Sequence, residues 1–132
     1  MKVLLDTHVL LWWLEAGDRL SAAQRKAIED ARESPPLLLS DISLWEIATL
    51  HMLGTIRLGL PLREWLERAS APPLVERCGI TPAVAAEVTS LPPTFHRDPA
   101  DRIIVATARV HGAAVLTADR RILDAGIVRA VP

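Results

Sequence analysis

Met1-Lys2-Val3-Leu4-Leu5-Asp6-Thr7-His8 places three consecutive apolar residues directly before a carboxylate. An uninterrupted apolar run suits a strand covered on both faces, so Val3-Leu4-Leu5 reads as a short buried strand ending at Asp6. A helical segment follows over residues 8–15. Asp6 therefore falls at the carboxyl end of a strand, where a charge has little reason to be unless something binds it.

The same unit recurs along the chain. Ser21-Ala22-Ala23-Gln24, preceded by Leu20, is a capping-box pattern for a helix reaching about Arg32, broken by Ser34-Pro35-Pro36. Leu37-Leu38-Leu39 is a second buried strand, and Ser40 or Asp41 caps a helix whose apolar face is expected at Ile42, Trp45, Ala48, Thr49 and Met52, with Glu46 beside it. Residues 54–59 form a turn region, 62–69 a short helix ended by Ala71-Pro72-Pro73, and 74–80 contain a third strand. Thr81-Pro82 opens a helix to about Thr89, which Leu91-Pro92-Pro93 stops. Asp98-Pro99-Ala100-Asp101 then starts the clearest helix of the chain, carrying Ile103, Ile104, Ala106, Thr107, Ala108 and Val110 ahead of Gly112. Residues 113–116 give a fourth strand ending near Thr117 and Asp119. This alternation predicts an α/β fold, a three-layer α/β/α sandwich around a mostly parallel sheet, with ligands bound outside the carboxyl ends of the strands.

With 132 residues, half of them hydrophobic, the chain is expected to be one domain over residues 1–132. Its net charge of −1 creates no global basic field for nucleic acid. Among its fifteen basic residues only Lys2 and Lys26 are lysines, and from Arg97 onward arginines outnumber aspartates, a local excess that suits phosphate. Cys78 is the single cysteine, which leaves no internal disulfide and no cysteine zinc site and reads as a small core residue. The opening apolar run is too short for a signal peptide and no stretch reaches membrane-span length, so a cytoplasmic protein without a membrane partner is expected.

Four acids, Asp6, Glu46, Asp101 and Asp119, sit against apolar runs at strand ends or on core-facing helices. Two carboxylates about 4 Å apart repel by roughly 4 kcal/mol at an effective dielectric of about 20, so a cluster of four needs a counter-charge. Hard divalent cations such as magnesium or manganese take oxygen ligands and support phosphodiester hydrolysis. Each acid also has a plainer reading: Asp6 and Asp119 as helix caps, Glu46 on a solvated helix side. Asp98, directly before Pro99, is placed as cap or supporting residue, while Asp101 at the third helical position is free to face a ligand. Other chemistries find less support. The glycines form no phosphate-cradling motif, no serine-hydrolase elbow is present, and His8, His51, His96 and His111 lack zinc spacing. Asp6-Thr7-His8 also lacks the second acid of an Asp-x-Asp phosphatase, and both lysines lie too early for a receiver site.

Leu4-Leu5-Asp6-Thr7-His8, Ser43-Leu44-Trp45-Glu46-Ile47, His96-Arg97-Asp98-Pro99-Ala100-Asp101-Arg102 and Leu116-Thr117-Ala118-Asp119, in this order, resemble the PIN domain, and more narrowly a VapC-type ribonuclease toxin. The resemblance implies a PIN-like fold and an endoribonuclease dependent on Mg2+ or Mn2+ that hydrolyses RNA by metal-activated water. It also implies a cognate VapB-type antitoxin and a homodimer. Carried over, the catalytic and metal-binding quartet is Asp6, Glu46, Asp101 and Asp119, supported by Thr7, Ser43, Asp98 and Thr117. Arg97 and Arg102 become candidate contacts to RNA phosphates. Relatives often carry a lysine shortly after the Trp-Glu-Ile block, where this chain has Leu50-His51, so His51 or Arg57 is the substitute to consider. Leu11, Trp12, Trp13, Met52 and Leu53 are candidates for the dimer or antitoxin surface on apolar density alone. A PIN-type processing nuclease without an antitoxin, and a PIN-like module that binds without cutting, are the competing readings.

Overall fold

A computed structural model describes residues 1–34 and 37–132. Strands β1 (Val3–Leu5), β2 (Leu37–Ser40), β3 (Glu76–Cys78), β4 (Ala114–Leu116) and β5 (Ala130–Val131) form one sheet in the order β3-β2-β1-β4-β5. Every pairing is parallel, as the apolar runs predict. Helices α1 (Thr7–Glu15), α2 (Ala22–Glu33), α3 (Asp41–Met52), α4 (Leu62–Ala69), α5 (Pro82–Val88), α6 (Pro99–His111) and α7 (Arg120–Ala125) connect or flank the strands.

Successive side chains of a strand point to opposite faces, so an unbroken apolar run feeds two cores at once. Val3, Leu5, Leu37, Leu39 and Leu116 pack with Val9 and Leu10 of α1, Ile28 of α2, Ile47 of α3 and Trp65 of α4. Leu4, Leu38 and Val115 pack on the other side with Ile104 and Ala108 of α6. This is the expected three-layer arrangement, and burying each leucine of these runs contributes about 2 kcal/mol relative to exposure. Cys78 lies in the second core, as a small apolar residue would.

The helix boundaries follow local chemistry. Ser21 Oγ accepts from the Gln24 backbone N–H at 3.0 Å and Gln24 Oε1 accepts from the Ser21 N–H at 3.2 Å, which completes the capping box. Gln24 is itself buried and donates from Nε2 to the Thr117 carbonyl at 3.3 Å, tying α2 to the end of β4. Asp98 Oδ1 accepts from the Asp101 N–H at 3.2 Å, Pro99 takes the first helical position, and Gly112 closes α6 in the left-handed region at φ 64°. A side chain would be strained at that φ.

One expectation needs correction. The face of α3 that turns inward is Ser43 and Ile47, while Trp45 and Met52 are 60 % and 77 % exposed. The apolar residues of this helix are spread around its circumference, so its periodicity did not decide which side would be covered. The third strand runs over Glu76–Cys78, inside the expected residues 74–80. A fifth strand, too short to carry a pattern, adds to β4 at the sheet edge. Of the break at Ser34-Pro35-Pro36, Ser34 is the C-cap of α2, and the two prolines lie outside the described residues.

The strand order fixes where a ligand can sit. From β1 the chain moves outward through β2 to β3, then crosses back to β4 on the other side of β1. Connections leaving β1 and β4 therefore diverge and open a crevice at their carboxyl ends. Replacing Gln24 with alanine removes half of the capping box and the tie to Thr117. It is expected to lower stability by about 1–2 kcal/mol in urea unfolding.

Candidate active site

Asp6 leaves β1 beside β4, its backbone N–H donating to the Leu116 carbonyl at 3.0 Å. Its carboxylate is 5 % exposed; Oδ1 accepts from the Thr7 N–H at 2.8 Å and Oδ2 accepts from Thr117 Oγ1 at 2.7 Å. Thr117 Oγ1 in turn accepts from the Asp119 N–H at 3.0 Å, so one hydroxyl orients two acids. Across the crevice Thr7 Oγ1 donates to Ser43 Oγ at 2.9 Å, which joins α1 to the α3 turn that carries Glu46. Asp101 enters from the first turn of α6.

These elements bring carboxylates together at short range. Ligand atoms of Glu46, Asp98 and Asp101 lie within 4.8 Å of one another, as do those of His96, Asp101 and Asp119. Asp101 belongs to both groups. Asp6 belongs to neither, yet it lines the same cavity of about 420 Å³ with Glu46, Asp98, Asp101, Asp119 and Arg121. The electrostatic consequences are large. Burial, reinforced by the charges of Asp6, Asp98, Glu46 and Asp119, pushes the Asp101 carboxyl up to about 7. Burial also raises Asp6 against the hydrogen bonds from Thr117 and Thr7. Glu46 is raised by burial and by Asp6, with the nearby Thr7 hydroxyl acting the other way. Asp119 alone is lowered, because Arg121 donates to both of its oxygens, at 3.2 Å from Nε and 2.9 Å from Nη2.

A divalent cation fits this donor set. The convergent atoms are mainly carboxylate oxygens, the ligands that hard cations take. Glu46 Oε1 is buried with no hydrogen-bond partner among the described residues, an acceptor left unpaired on a residue of the cluster. Among the described residues only Arg121 approaches Asp101 with a fixed positive charge, at 3.8 Å, and it does so from an exposed position. A cation in the cavity would offset the burial and the mutual repulsion that raise three of the four quartet acids.

The sequence-predicted residues divide as follows. Glu46, Asp101 and Asp119 join the close groups, Asp6 faces them, and Thr7, Ser43 and Thr117 form the supporting hydroxyl network. Asp98 combines both roles considered for it: it caps α6 and its carboxylate lies with Glu46 and Asp101. Asp119 likewise caps α7 while facing the cavity. Arg97 is exposed outside the cavity lining. Arg102 is turned away from it, donating from Nη1 to the Phe95 and His96 carbonyls at 3.0 and 3.2 Å. Leu11, a candidate surface residue, is in the core at 6 % exposed. Sequence reasoning missed His96 and Arg121. His96 Nε2 lies 3.2 Å from Asp101 Oδ2 without hydrogen-bond geometry. Its position three residues before Pro99 was the available signal, since the residues just before a helix start share that helix's end of the fold.

Because Asp101 ionises near 3.8 when unfolded and near 7 when folded, the metal-free folded state keeps a proton that the unfolded state has lost. Its contribution to stability therefore falls as pH rises between those values, and the raised Asp6 and Glu46 act in the same direction. Thermal melts are expected to show the metal-free protein less stable at about pH 8 than at about pH 5, and Mn2+ or Mg2+ to raise the midpoint more at the higher pH. Arg121→Ala should tighten Mn2+ binding measured by calorimetry, since it removes the guanidinium from both oxygens of Asp119 and leaves only the backbone cap on Oδ1.

Residues 3–128 match the PIN domain family. The chain is 45 % identical over 120 residues to the protein named Ribonuclease VapC22 of Mycobacterium tuberculosis, covering 91 % of this chain and 88 % of that one. Its fold is similar to VapBC2 of Rickettsia felis bound to a promoter DNA fragment, with TM-score 0.74 and 12 % identity over 99 % of this chain and 98 % of that chain. It is also similar to DNA-bound VapBC of Salmonella typhimurium, with TM-score 0.70 and 17 % identity over 99 % and 97 % of the two chains. At those identities the structural likeness speaks to fold alone. Family match, identity and the geometry of the crevice agree: the chain belongs to the PIN domain family and is a homologue of the VapC ribonucleases.

Proposed function

We propose that this chain, as a single nuclease domain over residues 1–132, is a Mg2+- or Mn2+-dependent endoribonuclease that acts in the cytoplasm as the toxin of a VapBC-type toxin–antitoxin pair. The observation that carries the reading is the convergence of Glu46, Asp98, Asp101 and Asp119 at the mouth beside Asp6, in a chain 45 % identical to a named ribonuclease. Among the described residues no helix is long and apolar enough to cross a membrane.

In this reading Asp6, Glu46, Asp101 and Asp119 hold the ion, with Asp98 and His96 at its periphery. When bound, the divalent ion supplies a water of lowered pKa and offsets charge developing on the phosphate. Everything else rests on the protein. Thr117 fixes the Asp6 carboxylate and the Asp119 backbone, and so sets the separation of two acids from adjacent strands. The Thr7–Ser43 hydrogen bond holds the α1 and α3 sides of the crevice in register. A phosphodiester placed against this cluster is cut with a 5′-phosphate and a 3′-hydroxyl as products.

The cognate partner is a VapB-type antitoxin that covers the site, a reading supported by the similarity to VapBC assemblies. A homodimer is supported by exposed Trp45, Met52 and Leu53 on and after α3. Trp12 and Trp13 are half-buried and contribute less surface.

Cleavage-site mapping on total cellular RNA tests the activity and the target together. Asp6→Asn and Asp101→Asn are expected to abolish cleavage with the fold intact; normal cutting by purified Asp6→Asn in Mg2+ or Mn2+ would overturn the assignment. Thr117→Val, which leaves the acids in place but unoriented, should reduce the rate by about 10–100-fold. Light scattering at micromolar concentration should return the mass of two chains, and a mass of one would contradict the dimer.

A further inference from the structure

A second cavity, of about 440 Å³, adjoins the acidic one and shares His8 and Trp12 with it. Arg19, Thr55 and Arg57 also line it. The Arg19 guanidinium lies 4.9 Å over the Trp12 ring, a cation–π stack that holds a flat cationic surface at the junction of the two cavities. Arg19 and Arg57 are both exposed, and neither has an ion-pair partner among the described residues. The carboxylate of this cavity, Glu15, is already engaged: its Oε1 accepts from the Gly59 N–H at 3.1 Å and from Trp65 Nε1 at 2.6 Å.

That arrangement answers a problem the acidic site creates. A crevice of clustered carboxylates repels the phosphates on either side of the one being cut, and a net charge of −1 provides no general attraction to offset this. Arg121, at the Asp119 side, is engaged with Asp119 and Asp101. Arg19 and Arg57 have their donors available and lie where a strand leaving the acidic site over His8 and Trp12 would pass. Arginines on a backbone path, combined with an aromatic or guanidinium plane for base stacking, are the elements by which proteins hold single-stranded nucleic acid.

We propose that the groove bounded by Trp12, Arg19 and Arg57 is the substrate-positioning subsite for the single-stranded RNA flanking the scissile phosphate, with Arg57 and Arg19 on phosphates and the Arg19–Trp12 stack under a base. The proposal rests on the ribonuclease reading and assigns its substrate path. Arg57 then takes the place of the basic residue missing after Trp45-Glu46-Ile47.

Full-length Asp101→Asn protein, which does not consume RNA, is titrated with a labelled mixed-sequence single-stranded RNA pool in Mg2+ at several salt concentrations. Arg19→Ala and Arg57→Ala in that background should each weaken binding by about tenfold and flatten the slope of log affinity against log salt by about 0.7. Arg57→Lys should restore most of the loss. In the otherwise wild-type protein, the same alanine substitutions should raise KM for cellular RNA cleavage and leave kcat within about twofold. Unchanged affinity and slope would overturn the subsite, as would a loss of kcat with KM preserved. Intact RNA binding with lost binding of a partner protein would assign the groove to that partner and overturn it too. Wild-type protein that binds RNA through these arginines without cutting any would instead remove the nuclease reading and leave the groove standing.

Discussion

Carboxylates held together against their own repulsion are the constraint from which the rest of this molecule can be understood. Asp101 is pushed to about 7 by burial and by four neighbouring acids, and Asp6 and Glu46 are raised with it. Left alone, such a cluster would relax by protonation or by turning side chains to water. It does neither freely, because the fold fixes the backbone of each acid: β1 ends at Asp6, β4 leads to Thr117 and Asp119, and the second turn of α3 and the first turn of α6 carry Glu46 and Asp101. The Thr117 hydroxyl then fixes the Asp6 carboxylate and the Asp119 backbone, and the Thr7–Ser43 hydrogen bond ties α1 to α3.

The sheet makes this possible at little local expense. Apolar runs buried on both faces hold β1 between β2 and β4, and the reversal of strand order beside β1 opens the crevice at the carboxyl ends. Several site residues have double duties that follow from their placement at helix starts. Asp6, Asp98 and Asp119 each cap a helix through a backbone N–H while keeping carboxylate oxygens near the cavity. The plainer readings of Asp6 and Asp119 as caps and the metal reading are thus compatible, since a carboxylate has more lone pairs than one cap uses.

Much of the fold was legible because its signals are local. Capping boxes, Asp98-Pro99 and Gly112 mark helix ends through backbone hydrogen bonding that needs no tertiary context. The apolar triplets marked central strands for the same reason. What failed was long-range. The inward face of α3 was misplaced because Trp45, Met52 and Leu53 are apolar yet outward, and only packing decides between equivalent sides of such a helix. β5 has two residues and forms only because β4 offers it an edge. The quartet itself stood out as acids against apolar runs, whereas His96 and Arg121 did not: His96 offered only its place just before the start of α6, and Arg121 lies at the crevice through its neighbours in space.

The central claim is that this cluster is built around a divalent cation. Anomalous scattering from crystals of the full chain soaked in Mn2+ tests it most directly. The account predicts a manganese peak in the crevice, ligated by Asp101 and at least one of Asp6, Glu46 and Asp119, with the Arg121 guanidinium withdrawn from Asp101. A crevice without manganese at saturating concentration, with Arg121 still clamped on Asp119 and near Asp101, would contradict it.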